Sequence, residues 1–221
     1  MTESQQLQNS VRRMGGKEIN KTDHPTHLVE IIDKVRDFFA LGARCFTYKD
    51  CYCQAWGDVL IDIDQVDREF KSLCKKLEEK EKEDKVYRCV DCWSVMWFAV
   101  AHEYAHCLQA SEVSWLTMKA DPVPYEIGAD FLAGACLGWY AVDLNINFLN
   151  DIDFAFQIAA YDSITHPQPH QRRLALETGI SKGAQASYAL GGDLSKIKRA
   201  ELLDQSRACF EVVLKATTRK T

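Results

Sequence analysis

The chain has 221 residues, of which 47% are hydrophobic and 27% charged, and its formal net charge is -5 at pH 7. These are ordinary globular proportions, and the length suits one large domain or one domain with an extension. The acidic balance argues against nucleic-acid binding, and the longest apolar stretches are well short of the ~20 residues that span a bilayer. Because residues 1–22 are polar and lack a secretion signal, we expect a mobile N-terminal segment and a cytoplasmic protein.

The apolar periodicity predicts a single domain at 23–221 that is mainly α-helical with a small β element (α+β). The elements predicted in the N-terminal half are a helix after Thr26 that ends at Gly42, strands at 44–48 and 58–64 separated by a turn region, and a charged helix at 66–83. Those predicted in the C-terminal half are a helix capped by Asp91, one from Tyr125 to about Asp143, one at 151–163, one at 171–177 ended by Gly179, and one at 194–216. The glycines and alanines of the Tyr125 helix predict close approach of another helix or of a ligand shell.

The chain contains nine cysteines, an odd number and a large one for this length. Without a secretion signal they are interpreted as reduced, buried thiols of a cytoplasmic protein. The alternative is a second metal or redox site built from Cys51, Cys53, Cys89 and Cys92. Because C-x-C is an unusual half-site for zinc, the interpretation as buried thiols is favoured.

The segment His102-Glu103-Tyr104-Ala105-His106 is the most specific motif of the chain. It has the form H-E-x-x-H within an apolar segment predicted to be helical, so the two imidazoles lie on one face about one turn apart. That spacing suits two ligands of a tetrahedral Zn²⁺, and Glu103 lies where a carboxylate can take a proton from a metal-activated water. The motif therefore predicts a zinc hydrolase.

A catalytic zinc needs a third protein ligand. The downstream candidates are Glu112, Asp121, Glu126, Asp130, His166 and His170. Glu126 is favoured because it lies twenty positions after His106, which is enough for a loop and a return on a second helix. Asp130, one turn later on the same face, would accept a hydrogen bond from the free ring nitrogen of a ligating histidine. Two alternatives stay open: Glu126 could serve a helix N-terminus, and Asp130 could be a plain buried hydrogen-bonding group.

The pair of motifs, H-E-Y-A-H and then E-I-G-A-D from Glu126, resembles the gluzincin-type zinc metallopeptidases, particularly the neutral zinc metallopeptidases and the CAAX-prenyl-protease-like group. The resemblance implies a zincin-like minimal metallopeptidase domain, a Zn²⁺ cofactor and a peptide or protein substrate. Thr165-His166-Pro167 and Arg172 are similar to a third segment of these families, which implies that His166 and Arg172 position substrate or stabilise the oxyanion. His166 could equally cap a turn, and Arg172 could make a structural ion pair.

The resemblance also implies a mode of substrate binding and a reaction. In these families the strand before the active-site helix lies at a cleft edge and pairs with an extended peptide, and Val59–Ile63 is the matching segment here. The implied reaction is hydrolysis of a peptide bond by a metal-activated water, with Glu103 as the general base.

Three other functions stay open. The protein could be a zinc-stabilised regulatory or interaction module that does not cleave, with a regulatory protein partner. It could be a partner-activated protease of a phage-defence type, or a thiol-rich metal or redox sensor. The presence of Glu103 favours an enzyme, since a module that does not cleave has no need of the base.

Overall fold

The computed structural model describes residues 17–19, 26–42, 45–47, 52–55, 58–61, 92–111, 122–144 and 167–218, and the isolated positions 68, 75 and 79. Its strands are β1 (Lys17–Glu18), β2 (Cys45–Thr47), β3 (Tyr52–Ala55) and β4 (Asp58–Ile61). Its helices are α1 (Thr26–Phe39), α2 (Cys92–Ala110), α3 (Pro122–Leu144), α4 (Pro169–Leu190) and α5 (Arg199–Thr218), with a 3-10 turn at Leu194–Lys196 before α5. The dominance of helices confirms the predicted mainly α-helical class with a small β element.

The four strands form one sheet in the order β1-β2-β4-β3. β2 and β4 run parallel, while β1 and β3 are antiparallel to their neighbours. Val59 and Ile61 of β4 are buried, as their alternation predicts. Because β4 is paired on both sides, the expectation that the segment Val59–Ile63 offers an open edge to a substrate is wrong for Val59 to Ile61, and its last two residues lie outside the described residues. β3, predicted as a turn region, is an edge strand of the sheet that the described residues form.

α1 is an amphipathic helix whose apolar side faces the core. Its buried residues recur at steps of three and four: Leu28, Val29, Ile31, Ile32, Val35, Phe38 and Phe39. The helix ends before the predicted Gly42, because Ala40 adopts a left-handed φ of 48°. The last carbonyls of a helix lack partners within it, and Arg199 of α5 donates to the Phe38 carbonyl at 3.0 Å. A distant side chain thus stabilises this end.

α3 is the central helix of the described structure, and every residue from Phe131 to Tyr140 is buried. It packs against α1, α2, α4 and α5. It begins at Pro122, three residues before the predicted start. A proline is well tolerated in the first turn of a helix, because the N–H that it lacks would have no partner within the helix there. α3 is rich in apolar residues, yet neither it nor any other helix among the described residues is both long and apolar enough to cross a membrane.

α4 is one continuous helix, so the predicted short helix ending at Gly179 is wrong. A Cβ on Gly179 would lie 2.0 Å from the carbonyl oxygen of Phe131, and one on Gly183 would lie 1.9 Å from that of Ala135. Gly134 and Gly138 of α3 contact α4 in the same way. These glycines permit close helix packing rather than ending a helix, which confirms the predicted close approach to α3.

Several predicted features fall outside the described residues. They are the helix at 151–163, most of the helix at 66–83, the Asp91 cap and His166. Of the cysteines proposed for a second metal site, Cys51 and Cys89 also fall outside, whereas Cys53 lies in β3 and Cys92 begins α2. Arg68, Lys75 and Glu79 are helical and exposed. Lys17 and Glu18, in the segment predicted to be mobile, pair with β2 as a short strand. The predicted last helix is a 3-10 turn followed by α5.

Candidate metal centre

Two helices bring the predicted ligands together. His102 and His106 lie one turn apart on α2, and Glu126 lies opposite them on α3. The two Nε2 atoms are 3.1 Å apart, Glu126 Oε2 is 3.1 Å from His102 Nε2, and Glu126 Oε1 is 3.4 Å from His106 Nε2. Among the described residues, this is the group of His, Cys, Asp and Glu side chains whose atoms converge closely enough to hold a metal ion.

The separations fit a small divalent cation. Zinc bound to nitrogen and oxygen at about 2.0–2.1 Å in a tetrahedron would hold its ligand atoms about 3.3 Å apart. The two Nε2 atoms are 3.1 Å apart, and each lies 3.1 or 3.4 Å from one of the two Glu126 oxygens, which is close to that value. Both imidazoles are nearly buried, with 7% of each residue exposed. The donor set, two imidazoles and one carboxylate, is also one that catalytic zinc uses.

Glu126 does not serve the start of its helix. Since α3 begins at Pro122, Glu126 lies beyond the first turn, where the favourable field of the N-terminus has fallen off. Its carboxylate instead faces the two imidazoles. The alternative based on the helix dipole is therefore not supported.

Asp130 and Arg172 lie behind His102. Asp130 Oδ1 is 3.0 Å from His102 Nδ1, a close contact between the carboxylate and the second ring nitrogen. The same carboxylate accepts two hydrogen bonds of 2.8 Å from Arg172 Nε and Nη2. The Arg172 guanidinium also lies 5.9 Å from the centre of the Phe98 ring. The predicted pairing of Asp130 with a ligating histidine is thus present as a close contact, and Arg172 holds Asp130 in place.

The charges of the centre favour a cation. Burial alone would lower the pKa of His102, but Asp130 and Glu126 outweigh it and raise that pKa to about 10 when no metal is bound. Burial would raise the pKa of Glu126, but hydrogen bonds from the two histidines hold it below its usual range. Burial would likewise raise the pKa of Asp130, yet Arg172 keeps it below the ordinary value. Both carboxylates are therefore ionised beside the imidazoles.

The remaining predicted site residues differ in what the structure says of them. Glu103 is half-buried and follows His102 on α2. Burial would lower the pKa of Arg172, but Asp130 and then Glu126 and Glu103 raise it. His166 lies outside the described residues. Arg172, which the resemblance assigns to substrate, donates to Asp130 instead, so the geometry supports the structural ion pair that was the alternative.

Two side chains that the sequence did not single out contact His106. Gln109 Oε1 is 2.9 Å from His106 Nδ1, and the Tyr125 ring stacks on the imidazole with centroids 4.6 Å apart. The Tyr125 hydroxyl donates to the His106 carbonyl at 3.2 Å. Gln109 had a usable signal, because it is a lone amide three positions after a ligand in an apolar helix. Tyr125 had none, since its place follows from how α3 packs on α2.

Comparisons with family models, curated proteins and solved structures found no match to this chain. The gluzincin resemblance therefore rests on the sequence motifs alone.

Proposed function

We propose that this protein is a zinc-dependent peptidase in which His102, His106 and Glu126 hold the metal. The observation that carries the proposal is the convergence of two Nε2 atoms 3.1 Å apart with the Glu126 carboxylate, whose Oε2 lies 3.1 Å from His102 Nε2 and whose Oε1 lies 3.4 Å from His106 Nε2. Zinc bound there would supply a Lewis acid and lower the pKa of a water molecule to near 7. The proposal includes a zincin-like fold and zinc as the metal.

The chain's own residues would do the rest of the chemistry. Glu103 would take a proton from the attacking water and return one to the leaving amine, as a general base and then a general acid. Asp130 would hold the His102 ring from behind. Arg172 would keep Asp130 ionised and in place.

A peptide substrate follows from the resemblance, and the sheet offers a way to bind one. β3 is an edge strand of the described sheet, and both β3 and β4 pack against α2. An extended chain adds to such an edge through main-chain hydrogen bonds. β3 therefore takes the substrate-pairing role that Val59–Ile63 was expected to have.

The first test separates metal binding from turnover. Glu126→Gln should lower zinc affinity by more than the 10–100-fold that is typical when a residue supporting a metal ligand is replaced. Glu177→Gln, a carboxylate on the exposed side of α4, is the matched control and should bind as the wild type does. Unaltered zinc content in Glu126→Gln would show that the third ligand lies elsewhere.

The second test concerns the base. Glu103→Gln should retain zinc and lower peptide hydrolysis by about 10²–10⁴-fold, because it removes proton transfer but no ligand. New peptide N-termini in a lysate treated with wild type and Glu103→Gln would identify the cleaved bonds. If both proteins give the same peptides, the chain is not the peptidase. Zinc binding without any cleavage would favour the regulatory module.

A further inference from the structure

Gln109 connects the two helices of the candidate centre through one buried amide. Its side chain follows His106 by one turn of α2, and the residue is 0% exposed. Its Oε1 lies 2.9 Å from His106 Nδ1, and its Nε2 donates to the backbone carbonyl of Tyr125 at 2.9 Å. Since Tyr125 directly precedes Glu126, the amide touches one ligand ring and the backbone beside another ligand.

The contact with Tyr125 determines which way the amide faces. A carbonyl oxygen can only accept a hydrogen bond, so the NH₂ group of Gln109 must face Tyr125 and its Oε1 must face the ring. An amide oxygen also only accepts, so His106 Nδ1 must carry the hydrogen that it donates. In a neutral imidazole this leaves the lone pair on Nε2, the atom that faces His102 and Glu126.

We propose that Gln109 is a positioning residue of the metal centre, which holds His106 in the tautomer that presents its Nε2 lone pair to the metal. This inference rests on the proposed function. Gln109 stands to His106 as Asp130 stands to His102, but an amide orients the ring without adding a third carboxylate behind the ligands. Groups that accept from the free N–H of a ligating histidine set both its tautomer and its orientation.

The same amide makes a second bond, so the test must separate ring positioning from helix packing. Gln109→Leu removes both hydrogen bonds. Gln109→Glu keeps an acceptor for His106 Nδ1, while its carboxylate cannot donate to the Tyr125 carbonyl. Tyr125→Phe is the matched control: it removes the hydroxyl bond between the same helices but keeps the stacked ring and leaves Gln109 in place.

Two measurements on the full chain follow. Zn²⁺ affinity is measured by competition with a chromophoric chelator, and the tautomer of His106 is measured by ring ¹⁵N NMR of the metal-free protein at alkaline pH, where a free imidazole is neutral. Gln109→Leu should weaken zinc binding by about 10–100-fold. Gln109→Glu keeps the acceptor for His106 and Tyr125→Phe leaves the amide in place, so both should lose less zinc affinity than Gln109→Leu. Wild-type His106 should carry its hydrogen on Nδ1.

Three results would overturn the proposal. The first is wild-type zinc affinity in a folded Gln109→Leu variant. The second is an equal loss in Gln109→Leu and Gln109→Glu, or in Tyr125→Phe, which would assign the effect to helix packing. The third is a hydrogen on Nε2 of wild-type His106, and this result decides the matter if Gln109→Leu does not fold. Failure of the wild type to bind zinc would refute the proposed function instead, because the tautomer is measured without metal.

Discussion

Arg172 and Arg173 are neighbours on α4 that each donate to a carboxylate, yet their replacement by methionine should have very different costs. Arg172 makes two 2.8 Å bonds to Asp130, and the two side chains are 9% and 0% exposed. Arg173 makes a 2.7 Å bond to Glu177, with side chains 46% and 36% exposed. The two pairs differ mainly in burial, so each variant controls for the other.

Burial sets the expected magnitudes. Removing one partner of a buried ion pair leaves an uncompensated charge and costs about 3–5 kcal/mol. An exposed pair four residues apart on a helix contributes only about 0.3–0.5 kcal/mol. In a chain of this length these values correspond to falls of about 6–20 °C for Arg172→Met and ~1–2 °C for Arg173→Met in the unfolding midpoint. Methionine keeps much of the apolar stem, so the loss reports mainly on the charge.

Thermal unfolding followed by circular dichroism, with and without zinc, measures this difference. Because Arg172 holds the carboxylate behind His102, Arg172→Met should also weaken zinc binding by about 10–100-fold, while Arg173→Met should leave it unchanged. Equal midpoints for the two variants would refute the reasoning. Native stability and zinc affinity in Arg172→Met, combined with lost turnover, would instead return Arg172 to the substrate role that the resemblance implies.

Three further predictions concern protons, packing and metal. In EDTA-treated protein, burial opposes protonation of His102, but Asp130 and Glu126 raise its pKa to about 10. The resulting stability is complete below about pH 6.5 and is lost as pH rises toward 10. The unfolding midpoint should therefore fall across this window more steeply than in His102→Gln, and equal slopes would contradict the prediction. Gly183→Ala places a Cβ 1.9 Å from a backbone oxygen and should lower the free energy of unfolding by at least about 1–3 kcal/mol. The control Gly42→Ala, with nothing within 4 Å, should change it by less than about 0.5 kcal/mol. Equal midpoints in thermal unfolding would show that α3 and α4 separate freely. Zinc at about 100 times its Kd should stabilise the fold by about 2.7 kcal/mol, as calorimetry before and after EDTA would measure, and an unchanged midpoint would argue against metal binding to the native state.

The candidate centre was largely predictable because its ligands follow local helical spacing. His102 and His106 are four positions apart, as are Glu126 and Asp130, so each pair shares a helix face whatever the tertiary structure. What spacing could not supply was the partner of Arg172. An arginine on a helix can face solvent, a substrate or a buried acid, and only the packing of α4 on α3 decides among them.

The errors in the fold have the same origin. Glycine is common at helix ends, so Gly179 was predicted to end a helix. Its actual role, close packing of α4 on α3, depends on Phe131, which lies 48 positions earlier in the chain. The strand matching the substrate-binding segment was correctly placed in sequence, yet strand order depends on pairing between segments. β3 was missed because its Cys- and Gly-containing surroundings are typical of a turn.

The ion pair behind His102 also has a consequence for biosynthesis. Arg172 follows Asp130 by 42 residues, so at about 5–20 residues per second roughly 2–8 s of translation separate the two. During that interval the nascent chain already contains the proposed metal ligands but lacks the guanidinium that neutralises Asp130. The candidate centre is therefore complete only after α4 has been synthesised and has packed on α3, which brings Arg172 to Asp130.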